Sequence, residues 1–192
     1  FRFLLAGQDV VIGSRSEERA AVAANKLTDM LTVGAAKISG RVGSAVGLEN
    51  EPAVVASDIV LITVPFSGQS DILKALRVPI GDKIVVDTVV PLLFAKGKIS
   101  AMSVAEGSAA EQAQHVLPAA RVVSAFQNLS AETLLDSNEK VDCSVVVCGD
   151  DADAKTNVMD LAGLIEGINP VDGGGLANSR YVEDFTALLL NI

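Results

Sequence analysis

Short, unbroken apolar runs recur along this chain between stretches with helical spacing, and few folds accommodate that pattern. "DIVLITVP" and "KIVVDTVVP" are rich in β-branched residues without polar alternation, as expected of strands covered on both faces. Strands are expected over 10–12, 59–64, 84–88, 121–125 and 144–148, with helices over 16–31, 68–76, 108–116 and 153–165. Strand and helix in alternation predict an α/β fold with a mostly parallel sheet and right-handed crossovers.

Helix ends support this division. In "SRSEER", Ser14 or Ser16 can cap a helix whose first turn carries Glu17 and Glu18, where the helix dipole favours acids. The helix after "GDDADAK" starts on capping aspartates and is expected to stop by Gly167 and Pro170, with Val158, Leu161, Leu164 and Ile165 facing the core. The Gly-rich segment 32–49 reads as loop. After "VDGGG", Val182, Phe185, Leu189 and Ile192 follow at three- and four-residue steps. They predict an amphipathic helix packed on a C-terminal subdomain or a partner subunit.

Composition excludes several classes. A net charge of −9, without a basic stripe, argues against nucleic acid as a partner. Apolar runs are too short to span a bilayer, and "FRFLLAGQDVV" lacks a secretory cleavage site, so a cytoplasmic protein is expected. Cys143 and Cys148 are five apart, which puts them on opposite faces of a strand as buried structural thiols. With one histidine, His115, no metal site is expected.

Candidate binding residues lie at the carboxyl ends of the strands, where open α/β sheets hold ligands. "DVVIGSRSEER" has the form of the second strand of a dinucleotide-binding fold, and it ends without the carboxylate that would bind an unphosphorylated ribose. Arg15 can pair bidentately with a phosphate, Ser14 adds a hydroxyl, and Arg19 lies one helical turn further on. A 2′-phosphate pocket selecting NADP fits this spacing, and so does a solvated helix start with surface arginines. Val64 and Phe66 in "TVPF" can pack against a cofactor ring, or the strand can simply end at Pro65. Asp87 can act as a base or cap a loop. Gln127 and Asn128 offer amides at the mouth of the sheet, ahead of a helix opening at Ser130 and Ala131. No nucleophile–base pair is present, so no catalytic side chain is assigned. Hydride transfer between two bound cofactors, which needs orientation and exclusion of water, fits this inventory.

These residues and the stretches "KIVVDTVVPL", "GSAAEQAQHVLPAARVVSAFQNLSAETL", "VCGDDADAK" and "VMDLAGLIEGINPVDGGGLANSR" through "VEDFTALLLNI" resemble, in order, the F420-dependent NADP oxidoreductases. The resemblance implies a Rossmann-type doubly wound fold over 1–172 and the start of a small helical subdomain over 173–192. It implies hydride transfer between NADP(H) and the deazaflavin coenzyme F420, by direct passage between nicotinamide C4 and deazaflavin C5 in one cleft. Ser14, Arg15 and Arg19 match the family's 2′-phosphate positions. Val64, Phe66, Gly68, Val90 and Ala131 match the lining of the NADP site, and Gln127, Asn128 and Leu129 the deazaflavin side. Archaeal members carry His where this chain has Gln127. Beside the family pattern the chain lacks a first strand and glycine turn, roughly 15–20 residues, and a short C-terminal tail, so a sequence truncated at both ends is expected. A homodimer through the C-terminal helix is also expected. The alternatives are an NADPH-dependent ferric or metalloreductase domain and a non-catalytic nucleotide-binding fragment.

Overall fold

The computed structural model describes residues 1–34, 41–95, 97–136 and 139–192. A short helix α1 (Arg2–Leu5) leads to β1 (Val10–Ser14), α2 (Glu17–Gly34), β2 (Ala45–Glu49) and α3 (Asn50–Val55). Next come β3 (Ile59–Ile62), α4 (Phe66–Ile80), β4 (Ile84–Asp87), an antiparallel pair β5 (Leu92–Ala95) and β6 (Lys98–Ala101), and α5 (Ala109–Val116). The chain continues through β7 (Arg121–Ser124), α6 (Ala131–Leu135), β8 (Cys143–Gly149), α7 (Ala152–Gly163) and β9 (Ile168–Asp172). A 3₁₀ turn over Leu176–Asn178 precedes α8 (Ser179–Leu189).

The main sheet has the order β3-β4-β7-β8-β9. Strands β3, β4 and β7 are parallel, β8 runs against β7, and β9 runs parallel to β8. Strands β1 and β2 form a separate parallel ladder that pairs Ser14 with Glu49, and α3 packs on both strands and on α4. The fold is therefore the mostly parallel, Rossmann-like α/β architecture that the apolar runs predict.

Period-two alternation explains how the sheet is covered. Val85 and Val122 point into a core with Leu73, Leu76 and Ile80 of α4 and Ala109 and Ala113 of α5. Their neighbours Ile84, Val86 and Val123 point the other way, onto Ala154, Val158 and Ala162 of α7. Strands β4 and β7 thus bury both faces, at about 1.5–3 kcal/mol for each large side chain removed from water. Helix starts are set by side chains: Asp151 Oδ1 accepts from Ala154 N–H at 2.7 Å, and Ser108 Oγ accepts from Glu111 N–H at 3.0 Å.

Several expectations are corrected. Within 32–49, α2 runs on through Gly34 and 45–49 is the strand β2, while residues 35–40 lie outside the described residues. The glycines that hide this strand's pattern include Gly47, where a Cβ would collide with the backbone of Ala20 and Ala21; the missing side chain lets α2 lie on the ladder. Pro170, expected only to stop a helix, lies in β9 at the sheet's edge, the place where a strand tolerates a residue without an N–H. Leu164 is 45% exposed: it keeps helical backbone angles as the C-cap of α7, but the buried stripe runs through Ala154, Val158, Ala162 and Ile165, and Leu164 lies off it.

The larger correction concerns α8. Its buried residues are Ser179, Glu183, Thr186 and Ala187, whereas Phe185, Leu189 and Ile192 of the expected apolar stripe are 52%, 38% and 94% exposed. The helix packs against β6, α5 and the 3₁₀ turn with its more polar face inward. No described helix is long and apolar enough to cross a membrane.

Candidate functional site

In-register pairing brings three strand ends to one level. Ile62 pairs with Asp87, and Asp87 with Ser124, so β3, β4 and β7 stop side by side. Backbone bonds continue one step further, with Thr88 N–H donating to Ile62 O at 3.3 Å and Ala125 N–H to Asp87 O at 3.1 Å. Val64, Val90 and Gln127 follow that level by two or three residues, and adjacent strands are about 4.8 Å apart. The candidates at these ends therefore line one edge. Ser14, Arg15 and Arg19 stand apart, at the end of β1 in the two-stranded ladder.

The surroundings of each candidate differ. Val64 and Phe66 are half-buried and pack against the α4–α5 core, with Pro65 capping α4 between them. Gly68 is exposed, and a Cβ there would meet nothing within 4 Å. Arg15 and Arg19 are exposed, and neither guanidinium is in an ion pair among the described residues. Ser16 Oγ accepts from Arg19 N–H at 3.5 Å, placing the helix start at the second serine of "SRS". Val90 is half-buried in the loop after β4.

Gln127, expected at the mouth of the sheet, turns inward. It is 6% exposed, and its Nε2 donates to Ser124 Oγ at 2.6 Å and to Asp87 O at 3.1 Å. Asn128 and Leu129 face a cleft of about 290 Å³ lined also by Ser130, Thr133, Val141 and Cys143. Asn128 Nδ2 donates to Ser144 O at 2.8 Å, which fixes the amide and leaves its buried Oδ1 without a partner. An unpaired buried acceptor costs about 1–3 kcal/mol, and Gln69 Oε1 and Gln127 Oε1 are left unpaired in the same way. Ala131 is exposed at the start of α6.

A buried carboxyl pair lies beneath the strand ends: Asp87, which the sequence offers as a base or a loop cap, and Glu183, which the sequence does not single out. Asp87 is fully buried: Oδ1 accepts from Val89 N–H at 2.8 Å, and Oδ2 accepts from the Gln69 amide. Both oxygens are engaged, so Asp87 caps a loop and does not face a substrate as a base. Gln69 Nε2 also reaches Ala109 O at 3.4 Å. At that same helix start Glu183 of α8 accepts from Ala109 N–H at 2.9 Å and Ala110 N–H at 3.4 Å. A carboxylate on the first amides of a helix is favoured by the helix dipole. The visible signal for Asp87 was an acid inside an apolar run; Glu183 had none.

Burial pushes Asp87 up to about 7, against the hydrogen bonds from Val89 and Gln69. Burial also pushes Glu183 up to about 7, against Ala109 N–H, with the negative charge of Asp87 adding to the rise. Their unfolded values are 3.8 and 4.5, so between those values and about 7 the folded chain holds protons that the unfolded chain releases. The resulting stabilisation is complete below the unfolded values and lost as pH rises through about 7. Denaturant melts should therefore show the protein less stable at about pH 7.5 than at about pH 5, and Asp87→Asn should flatten that difference. A stability that rises over this interval in the wild type would refute the assignment.

Comparison with known proteins gives the family. Residues 2–91 match the family described as NADP oxidoreductase coenzyme F420-dependent. The F420-dependent NADP reductase of Methanothermobacter thermautotrophicus is 38% identical over 196 residues, covering 100% of this chain and 81% of that protein. The F420-dependent NADP reductase of Methanocaldococcus jannaschii is 38% identical over 185 residues, 95% of this chain and 81% of that protein. A crystal structure of a protein from Arthrobacter sp. FB24 superposes with a TM-score of 0.75 at 23% identity, over 98% of this chain and 85% of the other, and confirms the fold. Similarity at this level, sustained across both the nucleotide core and α8, makes the chain a member of the F420-dependent NADP oxidoreductase family.

Proposed function

We propose that this chain transfers a hydride between NADP(H) and coenzyme F420 at the shared edge of β3, β4 and β7. The observation that carries this is the identity, along the whole chain, to F420-dependent NADP reductases. When bound, the two cofactors supply the redox chemistry, with hydride passing between nicotinamide C4 and deazaflavin C5. The chain's own residues bind, orient and exclude water.

Arg15 and Ser14 hold the 2′-phosphate, with Arg19 adding positive charge one turn away. Both guanidiniums lack an ion-pair partner among the described residues, which leaves them available to an anion. Val64, Phe66 and Val90 form an apolar wall for the NADP side, and Gly68 leaves the backbone open beside it. On the deazaflavin side, Leu129 would offer an apolar surface and Asn128 a polar one in the cleft that would hold the ring. Gln127 acts from behind, steadying the loop through Asp87 O and Ser124 Oγ. Ala131 keeps the approach to α6 clear. The first test is to mix the protein with NADPH and oxidised F420 and follow loss of the deazaflavin absorbance. Absence of transfer in both directions would refute the reading.

Nucleotide choice provides a second test. Arg15→Glu should weaken NADP binding by about 1.5–3 kcal/mol, the worth of charge-assisted contacts, while NAD binding changes little. Equal losses for both nucleotides, measured by fluorescence titration, would remove the 2′-phosphate assignment.

The chain also forms a homodimer through α8 in this proposal. Tyr181, Phe185 and Leu188 of that helix and Leu190 just beyond it are each more than half exposed, with Phe94 of β5 73% exposed as well. Exposed apolar groups concentrated on one element mark an interaction surface. Sedimentation should give the mass of a dimer, and Phe185→Asp should shift it toward the monomer. A wild-type monomer at high concentration would exclude this interface.

A further inference from the structure

Helix α6 has five residues and no basic residue in its last turn. So short a helix is not stable alone, and its final carbonyls have no partners within it. Those carbonyls are taken by a residue more than a hundred positions away. Arg2 donates from Nε to Leu134 O at 3.1 Å, and from Nη2 to Thr133 O at 2.8 Å, Glu139 O at 2.7 Å and Asp136 O. A half-buried guanidinium thus closes the helix and gathers the backbone that follows it. Its charge complements the negative end of the helix dipole.

The other end of the segment is held from the same helix. The Phe3 ring meets Phe126 edge to face, with centroids 6.0 Å apart and planes at 83°. Phe126 has φ 72°, the one positive φ outside glycine among the described residues. A bulky residue in that region stores strain and keeps it only where packing over-determines the conformation. Helix α1 therefore grips both ends of 126–136, the segment that carries Gln127, Asn128, Leu129 and Ala131.

We propose that Arg2 is a positioning residue for the deazaflavin side of the reaction, acting through the carbonyls of α6 to hold Asn128 and Leu129 against the cleft. This rests on the hydride-transfer reading above. Arg2 touches neither cofactor in this account. Its role differs from general stabilisation because Val64, Phe66, Gly68 and Val90 are not on the segment it holds.

Arg2→Met and Arg2→Lys test the proposal. In steady-state assays with each cofactor varied, Arg2→Met should raise KM for F420 about tenfold, the equivalent of one lost charge-assisted hydrogen bond, with KM for NADPH within about twofold. Arg2→Lys keeps the charge without the fork and should fall between Met and the wild type. Hydrogen exchange of the cofactor-free protein supplies an independent readout, with amides over 133–136 exchanging faster in Arg2→Met while the β4 amides keep their protection. Equal rises in both KM values, or unchanged exchange over 133–136, would overturn the positioning role. A wild-type protein unable to pass hydride to F420 would overturn the reaction and with it Arg2's part in that chemistry. Faster exchange in Arg2→Met would then show the anchoring of α6 to be structural.

Discussion

The buried Asp87 adds polar bonds beneath the strand ends to segments that the sheet ladder and the core already bring together. Its side chain takes the Val89 amide and the Gln69 side chain, and its backbone carbonyl takes Ala125 N–H and the Gln127 amide. Those partners belong to the loop after β4, the first turns of α4, and the loop after β7. A carboxyl group removed from water costs several kcal/mol unless its oxygens are satisfied, so the surrounding segments are held to the geometry that satisfies it. Asp87 thereby ties β4 to α4 and to the loop after β7, beneath the edge on which Val64, Val90 and Asn128 lie. The neighbouring valines of β4 add burial on both faces of the strand.

The same polar cluster sets the roll of α8. Two amides at the start of α5 are satisfied by Glu183, and leaving them bare in the core would cost about 1–3 kcal/mol each. The helix accordingly turns Ser179, Glu183 and Thr186 inward and presents Phe185 and Leu189 outward. Hydrophobic patterning and polar satisfaction make opposite demands on this helix, and polar satisfaction prevails. The apolar face is then left for the second copy of the chain that we propose.

Much of the fold was legible because strands covered on both faces leave an unambiguous mark. "IVLI" and "IVVD" could not face water on either side, and the helices between them were spaced to cover them. Strand β2 escaped notice because Gly47, required by the close approach of α2, breaks its pattern. At the site, the positions of Arg15, Phe66 and Asn128 at strand ends followed from order along the chain. The inward turn of Gln127 did not, since it depends on Asp87 and Ser124 presenting acceptors on the strand next to its own and at the end of its own strand.

From sequence alone, then, come the α/β layering, the strand ends that carry the candidate residues, the absence of a carboxylate after β1 and the family. All are properties of local pattern and order, because apolar periodicity and residue chemistry act over a few positions. Tertiary structure decided which face of α8 is buried, that Asp87 is a capped interior acid, and that Arg2 closes a helix through carbonyls 131 and 132 residues away. These outcomes turn on whether a buried donor or acceptor finds a partner, and that partner is brought into reach only when distant segments pack together.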